Sequence, residues 1–117
     1  MVEFAVIDIK IIFFSLTLFF VAALVEIGGG YLVWQWIREK RGIIVGLIGG
    51  IILFLYAIIP TFQPSHFGRT YAAYGGIFII SSIMWGMIVD KKKPDRFELL
   101  GSSIAVVGAV IIFYTPR

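Results

Sequence analysis

Apolar residues in this chain come in long blocks rather than in stripes. Residues 11–37 contain one charged side chain, Glu26; residues 43–59 and 71–89 contain none, and residues 97–114 contain only Glu98 near the start. A half-buried strand would alternate apolar and polar, and a soluble amphipathic helix would show polar positions on one face. Blocks of about 20 apolar residues instead match a helix crossing a hydrocarbon layer about 30 Å thick. The pattern predicts an all-α membrane protein, with four transmembrane helices in a compact bundle forming a single domain over residues 1–117. A transmembrane barrel would need alternating strands, which these blocks are not.

The breaks between blocks set the boundaries. Arg38, Glu39, Lys40, Arg41 and Gly42 close the first span. Pro60 closes the second, whose 17 residues sit at the short limit for a crossing helix. Pro60, Pro64 and Gly68 disfavour a continuous helix over residues 60–70. Asp90 through Arg96 separate the third span from the fourth. Glu3 and Asp8 precede the first span, which lacks the basic start and short apolar core of a secretory signal.

Composition narrows the picture further. The chain has 117 residues and is 60% hydrophobic, with a mean hydropathy of +1.00. A soluble domain of this size could not bury that much apolar surface. The absence of cysteine excludes disulfides, thiolate metal sites and cysteine nucleophiles. The net charge of +3 is not read as nucleic-acid binding, because the basic residues gather at span ends. Seven Lys or Arg residues lie in connections 38–42 and 90–96, against three on the opposite side. This bias predicts a protein of the cell membrane with both termini outside and the two basic connections in the cytoplasm. Trp34 and Trp36 suit an interfacial belt at the cytoplasmic end of span one.

Small residues mark where helices approach in lipid. Gly42, Gly46 and Gly50 recur every four residues in span two, and Gly101, Ala105 and Gly108 share one side of span four. The fourth-helix set serves either internal packing or a dimer contact. Gly28, Gly29 and Gly30 lower helix propensity by about 1 kcal/mol each and predict a soft point beside Glu26.

Glu26 carries most of the functional expectation. A charged residue at the bilayer centre costs about 2.5–3.5 kcal/mol on insertion scales, so it usually faces a bundle interior or a water-filled cavity. Its helix face bears Ser15, Phe19, Ala22, Ala23, Gly29, Gly30 and Val33, which leaves room for another helix or a ligand. Span three offers Tyr71, Tyr74, Phe78, Ser81, Ser82 and Trp85 near one face. Aromatic faces attract organic cations, by about 0.5–2 kcal/mol. Such a stripe alone reads as packing or interface anchoring; a buried acid that needs polar company turns it toward a binding site. His66 reads as a solvated loop residue, and Lys91–Lys93 fix topology. Arg69 anchors headgroups or answers a carboxylate across the bundle. No catalytic set, phosphate loop or metal motif occurs, so neither an enzyme, a cofactor nor a metal is expected.

The run Gly68-Arg69-Thr70-Tyr71-Ala72-Ala73-Tyr74-Gly75-Gly76 is distinctive. Together with Ala23-Leu24-Val25-Glu26-Ile27-Gly28, Trp85 and Val89-Asp90, it resembles the YnfA-type family of small four-span inner-membrane proteins, over about residues 13–112. That family is similar to the small multidrug resistance transporters of the drug/metabolite transporter group. The resemblance implies a four-helix subunit working as a dimer, with a first-helix glutamate that binds protons and cationic substrate in competition. Glu26 matches that glutamate, and Tyr71 looks like the third-helix tyrosine near substrate. Tyr74 stands where the multidrug members have a tryptophan, and Trp34 where they have a lysine. Gly101 and Gly108 reproduce the fourth-helix glycine heptad associated with dimer contact. Those transporters can pair antiparallel, whereas the charge bias here favours one orientation and hence a parallel homodimer, unless a partner inserts the other way.

The expected function is proton-coupled efflux of small, cationic compounds, with Glu26, Tyr71, Tyr74 and Trp85 binding proton or substrate. The alternative is a non-transporting scaffold or modulatory subunit, in which Glu26 bonds to Tyr71 or Tyr74 and serves assembly.

Overall fold

The computed structural model describes residues 2–117, with side chains from residue 9 onward. Glu3 and Asp8 therefore lie outside the described side chains. Four helices follow one another: α1 (Val2–Ile37), α2 (Ile43–Tyr56), α3 (Phe67–Ile88) and α4 (Arg96–Tyr114), with a 3-10 turn at Ile59–Phe62 and no strand among the described residues. Segments Ile9–Ile37, Ile43–Phe62, Phe67–Ile88 and Arg96–Tyr114 are each long and apolar enough to cross a membrane.

The burial pattern is that of a protein dissolved in lipid. Large apolar side chains point outward: Phe13 is 75% exposed and Phe54 71%, a state water would penalise on every helix. The interior holds Phe19, Ala22, Ala23, Ala73, Tyr74, Ile77 and Ala109, with Ser15, Thr70, Ser81 and Ser102. Small interior residues let backbones come close, which is how helices associate when lipid is as apolar as they are.

Two glycine contacts organise the bundle. At the crossing of α1 and α2, a Cβ on Gly49 would lie 2.7 Å from the Gly29 carbonyl oxygen. One turn away, Gly46 lies against the Trp36 ring. The sequence pattern put Gly42, Gly46 and Gly50 on the contact; the structure uses Gly46 and Gly49, and Gly42 and Gly50 face open space. Trp36 is correspondingly a packing residue rather than an interfacial anchor, whereas Trp34 stays half exposed. At the second contact, Gly76 of α3 meets Ala105 and Ala109 of α4. Helix α4 rests on α3 and is otherwise peripheral, tied to α1 near its end by a hydroxyl bond between Tyr114 and Ser15. Helix α1 runs unbroken through Gly28–Gly30, and Gly29 serves as the contact surface.

Several boundaries move relative to the sequence reading, each for a local reason. Helix α2 ends at Tyr56 rather than at residue 59. A proline ring clashes with the carbonyl four residues earlier, and for Pro60 that residue is Tyr56. Pro60 is buried at the start of the 3-10 turn, which carries the span on to Phe62. Helix α3 begins at Phe67 rather than residue 71 because His66 caps it, its Nδ1 accepting from the Arg69 backbone N–H at 3.4 Å. His66 is exposed, as expected, yet it has this structural task. Helix α4 starts with a reciprocal cap: Asp95 accepts from the Glu98 N–H at 2.7 Å, and Glu98 accepts from the Asp95 N–H at 3.0 Å.

Helices α1 and α3 end alike. The Arg41 N–H donates to the Gln35 carbonyl and the Lys92 N–H to the Gly86 carbonyl, both at 3.0 Å. Each closure needs a left-handed residue, supplied by Lys40 (φ 56°) and Lys91 (φ 59°). The two basic connections thus leave the bundle at the same end and by the same turn.

Candidate functional site

Glu26 projects from the middle of α1 toward α3, and the Tyr74 hydroxyl donates to its Oε1 at 2.8 Å. The helix spacing that puts Ser15, Phe19, Ala22 and Ala23 on the Glu26 face also buries all four, so the acid sits at the end of a packed seam. Tyr74 is only 5% exposed. Its ring lies 6.2 Å from Phe19, 5.9 Å from Tyr56, 6.3 Å from Tyr71 and 5.8 Å from Phe78, centroid to centroid. Three helices therefore build one aromatic cluster, with a single carboxylate bonded to its central hydroxyl. A carboxyl group in such a place is satisfied by the donor and by its partial exposure, while the rings supply faces for a cation.

The structure brings together Glu26 and Tyr74, with Tyr71 one turn away and packed on Phe67 at 4.4 Å. It does not bring Trp85 to the carboxylate. Trp85 lies 11 residues beyond Tyr74 on α3, with its ring against Tyr31 at 5.6 Å and 3.9 Å from where a Cβ on Gly28 would stand, two residues from Glu26. Arg69 is also remote: it lines a cavity at the other end of the bundle with Tyr114 and Arg117 and does not answer Glu26. Ser81 turns inward to donate to the Ile77 carbonyl, whereas Ser82 is exposed, so the expected third-span face is narrower than its spacing suggested. Of the fourth-helix set, Ala105 packs internally on Gly76, while a Cβ on Gly101 or Gly108 would meet nothing within 4 Å.

Sequence reasoning missed Tyr56. It is the one side chain of residues 43–59 that can donate a hydrogen bond, and this isolation was the available signal. It faces the site because Gly46, Gly49, Leu53 and Tyr56 follow the spacing of three and four that turns one face of α2 to α1.

The Glu26–Tyr74 bond should be measurable as a coupling energy. In a double-mutant cycle with Glu26→Ala and Tyr74→Phe, thermal unfolding in detergent should give a coupling of about 0.6 kcal/mol, the average for interhelical bonds in membrane proteins, and at most about 1.7 kcal/mol. Additive effects of the two changes would show that the bond contributes nothing.

Comparison with known proteins points in one direction. A family model described as "Uncharacterised BCR, YnfA/UPF0060 family" matches residues 12–117. The chain is 53% identical over 105 residues to a UPF0060 membrane protein of Clostridium beijerinckii, covering 88% of this chain and 95% of that one. It is 53% identical over 112 residues to one of Clostridium perfringens, covering 94% and 97%. A UPF0060 membrane protein of Staphylococcus aureus is 51% identical over 106 residues, covering 89% and 97%. No solved structure matches the chain.

Proposed function

Because this chain belongs to the YnfA/UPF0060 family of membrane proteins, and carries an acid, Glu26, in mid-helix within a bundle that crosses the membrane, we propose that it is a proton-coupled exporter of small organic cations. The observation that carries this reading is Glu26 bonded to Tyr74 inside a ring of aromatic side chains from three helices.

The geometry lends itself to exchange. Tyr74 occupies Oε1 of Glu26 and leaves the other oxygen for a proton or a cation. A proton there neutralises the acid, and a neutral acid is cheap to hold in hydrocarbon. A cation there needs the acid ionised, with the faces of Tyr56, Tyr71 and Tyr74 taking its organic part. One carboxylate cannot hold both, so loading one releases the other. Facing outside it takes a proton; facing the cytoplasm it gives that proton up and accepts a cation. The direct test is reconstitution in liposomes with an imposed pH gradient and a panel of organic cations. Proton-driven flux of at least one cation is expected, and none for any of them would overturn the reading.

The same bond favours a second reading, in which Glu26 joins α1 to α3 for assembly only and the chain acts as a scaffold or subunit of a larger complex. Solvent access separates the two. A transport carboxylate reacts with a carboxyl reagent and is protected by substrate; a purely structural one resists.

We also propose that the exporter is a homodimer in the cell membrane, with both termini outside and α4 at the contact. Gly101 and Gly108 have room for a methyl group within the subunit, and alanine suits a helix better by about 0.5–1 kcal/mol. Gly101→Ala and Gly108→Ala should thus leave subunit unfolding unchanged or later, yet reduce cross-linked dimer. Full dimer yield in the double variant would remove these glycines from the contact.

A further inference from the structure

At the end of the bundle where the two basic connections leave, a cavity of about 370 Å3 opens between α1 and α3. Tyr31, Trp34 and Trp85 form its aromatic walls, Glu39 and Asp90 line it from just past the helix ends, and Ile27 and Gly30 line it from α1. Neither acid, nor Tyr31, belongs to the Glu26 cluster. Ile27 follows Glu26 directly on the same helix, and Gly30 lies four residues beyond it, roughly 6 Å along the axis.

Three features give this cavity the chemistry of a cation site. Tyr31 and Trp85 meet at 58° with centroids 5.6 Å apart, so their faces form a corner rather than a closed stack. Trp34 already receives a cation on its ring, the Arg38 guanidinium, 4.5 Å from the centroid. The two carboxylates come from separate connections and are placed together only by the shared geometry of the two helix ends. A further feature keeps the cavity open: a Cβ on Gly30 would meet nothing within 4 Å. The Trp85 indole nitrogen is buried without a partner among the described residues, so no hydrogen bond pins that ring.

The surrounding charge sharpens what can bind. Arg38, Lys40, Arg41 and Lys91–Lys93 are exposed in the same connections, and such charges are screened over about 8 Å at physiological salt. They repel any cation, and a small hydrated one gains too little from aromatic walls to offset that. An organic ammonium sheds its weak hydration and gains both the rings and the carboxylates.

We propose that this cavity is a waiting site for an organic ammonium, distinct from Glu26 and next to it, where a cation is held before it reaches the central carboxylate. The proposal rests on the export reading for its purpose but not for its existence. It gives Trp85 a role in substrate handling away from Glu26, and it adds Tyr31, Glu39 and Asp90.

The test uses the full chain in detergent, titrated with benzyltrimethylammonium and followed by tryptophan emission and calorimetry together. Binding should persist in Glu26→Gln, with Kd rising by clearly less than the roughly tenfold expected from Glu39 and Asp90, because Glu26 lies beside the cavity and does not line it. Combining Glu39→Gln with Asp90→Asn should raise Kd roughly tenfold, from two partly screened charge contacts. The emission change should survive in Trp36→Phe, since Trp36 packs on α2, and shrink in Trp34→Phe and Trp85→Phe. Benzyl alcohol, uncharged, should produce no comparable signal. Binding that vanishes in Glu26→Gln, or that ignores Glu39 and Asp90, overturns the waiting site. If wild-type liposomes show no proton-driven flux while binding still follows Glu39 and Asp90, the export reading falls and the site stands. If flux is proton-driven and binding ignores both acids, the site falls and export stands.

Discussion

Liposomes carrying Glu26→Gln should hold a pH gradient without exchanging it for any organic cation, with flux falling to that of protein-free vesicles. Glutamine has nearly the shape of glutamate, and its carbonyl can still accept from the Tyr74 hydroxyl, which bonds Glu26 at 2.8 Å in the native chain. The variant should therefore fold and insert at wild-type yield. What it loses is the ability to take up and release a proton, and the negative charge that faces a cation. Glu26→Asp provides the contrast. It keeps a titrating group, so coupling should survive. Its side chain is one methylene shorter, which breaks contact with Tyr74, and aspartate is intrinsically the stronger acid. The pH profile of transport should accordingly shift from that of the native chain, with a lower maximum. Normal proton-driven export by the glutamine variant would falsify the carboxylate mechanism. A glutamine variant that fails to fold would instead favour the assembly reading.

Gly49→Ala should be among the most damaging single-methyl changes in the chain. The added carbon would lie 2.7 Å from the Gly29 carbonyl oxygen, 2.9 Å from the Leu32 Cβ and 3.0 Å from the Val33 nitrogen. Two of those three atoms are backbone and cannot rotate aside, so α1 and α2 must part. Overpacking of this kind costs about 1–3 kcal/mol. The neighbouring Gly50→Ala is the control, because its methyl group would meet nothing within 4 Å and alanine favours the helix by about 1 kcal/mol. Thermal unfolding in detergent should separate the two variants clearly, with position 49 lower and position 50 unchanged or higher. Because α2 also carries Tyr56 to the site, the position 49 variant should lose transport beyond what its folded fraction explains. Equal stability of the two would show that the helices do not meet at Gly29 and Gly49.

Much of the architecture was legible in the chain because lipid permits few alternatives: a spanning segment must satisfy its own backbone, so length and apolarity suffice to find it. Glu26 was legible for the same reason, as a cost with no visible return. The pairing with Tyr74 followed from helical spacing on α1 and α3, since the acid and the third-span aromatics each occupy one face. What spacing cannot give is rotation of one helix against another. Gly46 with Gly49, and Gly42 with Gly46 and Gly50, are equally good stripes; only the contact with Trp36 and Gly29 selects the first. That choice also decides that Tyr56 points inward. Trp85 shows another limit of spacing: a face shared over three turns is still spread along the helix axis, so its ring meets Gly28 and Tyr31 rather than bonding Glu26. His66 and Pro60 show the local limit, where a cap and a ring clash move an end by a few residues.

The unequal lengths of the helices have a consequence for the membrane itself. The apolar part of α1 spans 29 residues, while its neighbours span 19 to 22, and the molecule is 56 Å along its longest axis. At 1.5 Å per residue the α1 segment is roughly 44 Å long against a hydrocarbon layer of about 30 Å. Such a helix must lean, or push its ends out of the hydrocarbon, and the balance shifts with lipid chain length at a cost of fractions of a kcal/mol per Å. Glu26 rides on that helix. Bilayer thickness is thus a mechanical input to the carboxylate: thicker lipid draws α1 upright and thinner lipid tips it. The depth at which the acid sits is then partly a property of the membrane that holds it.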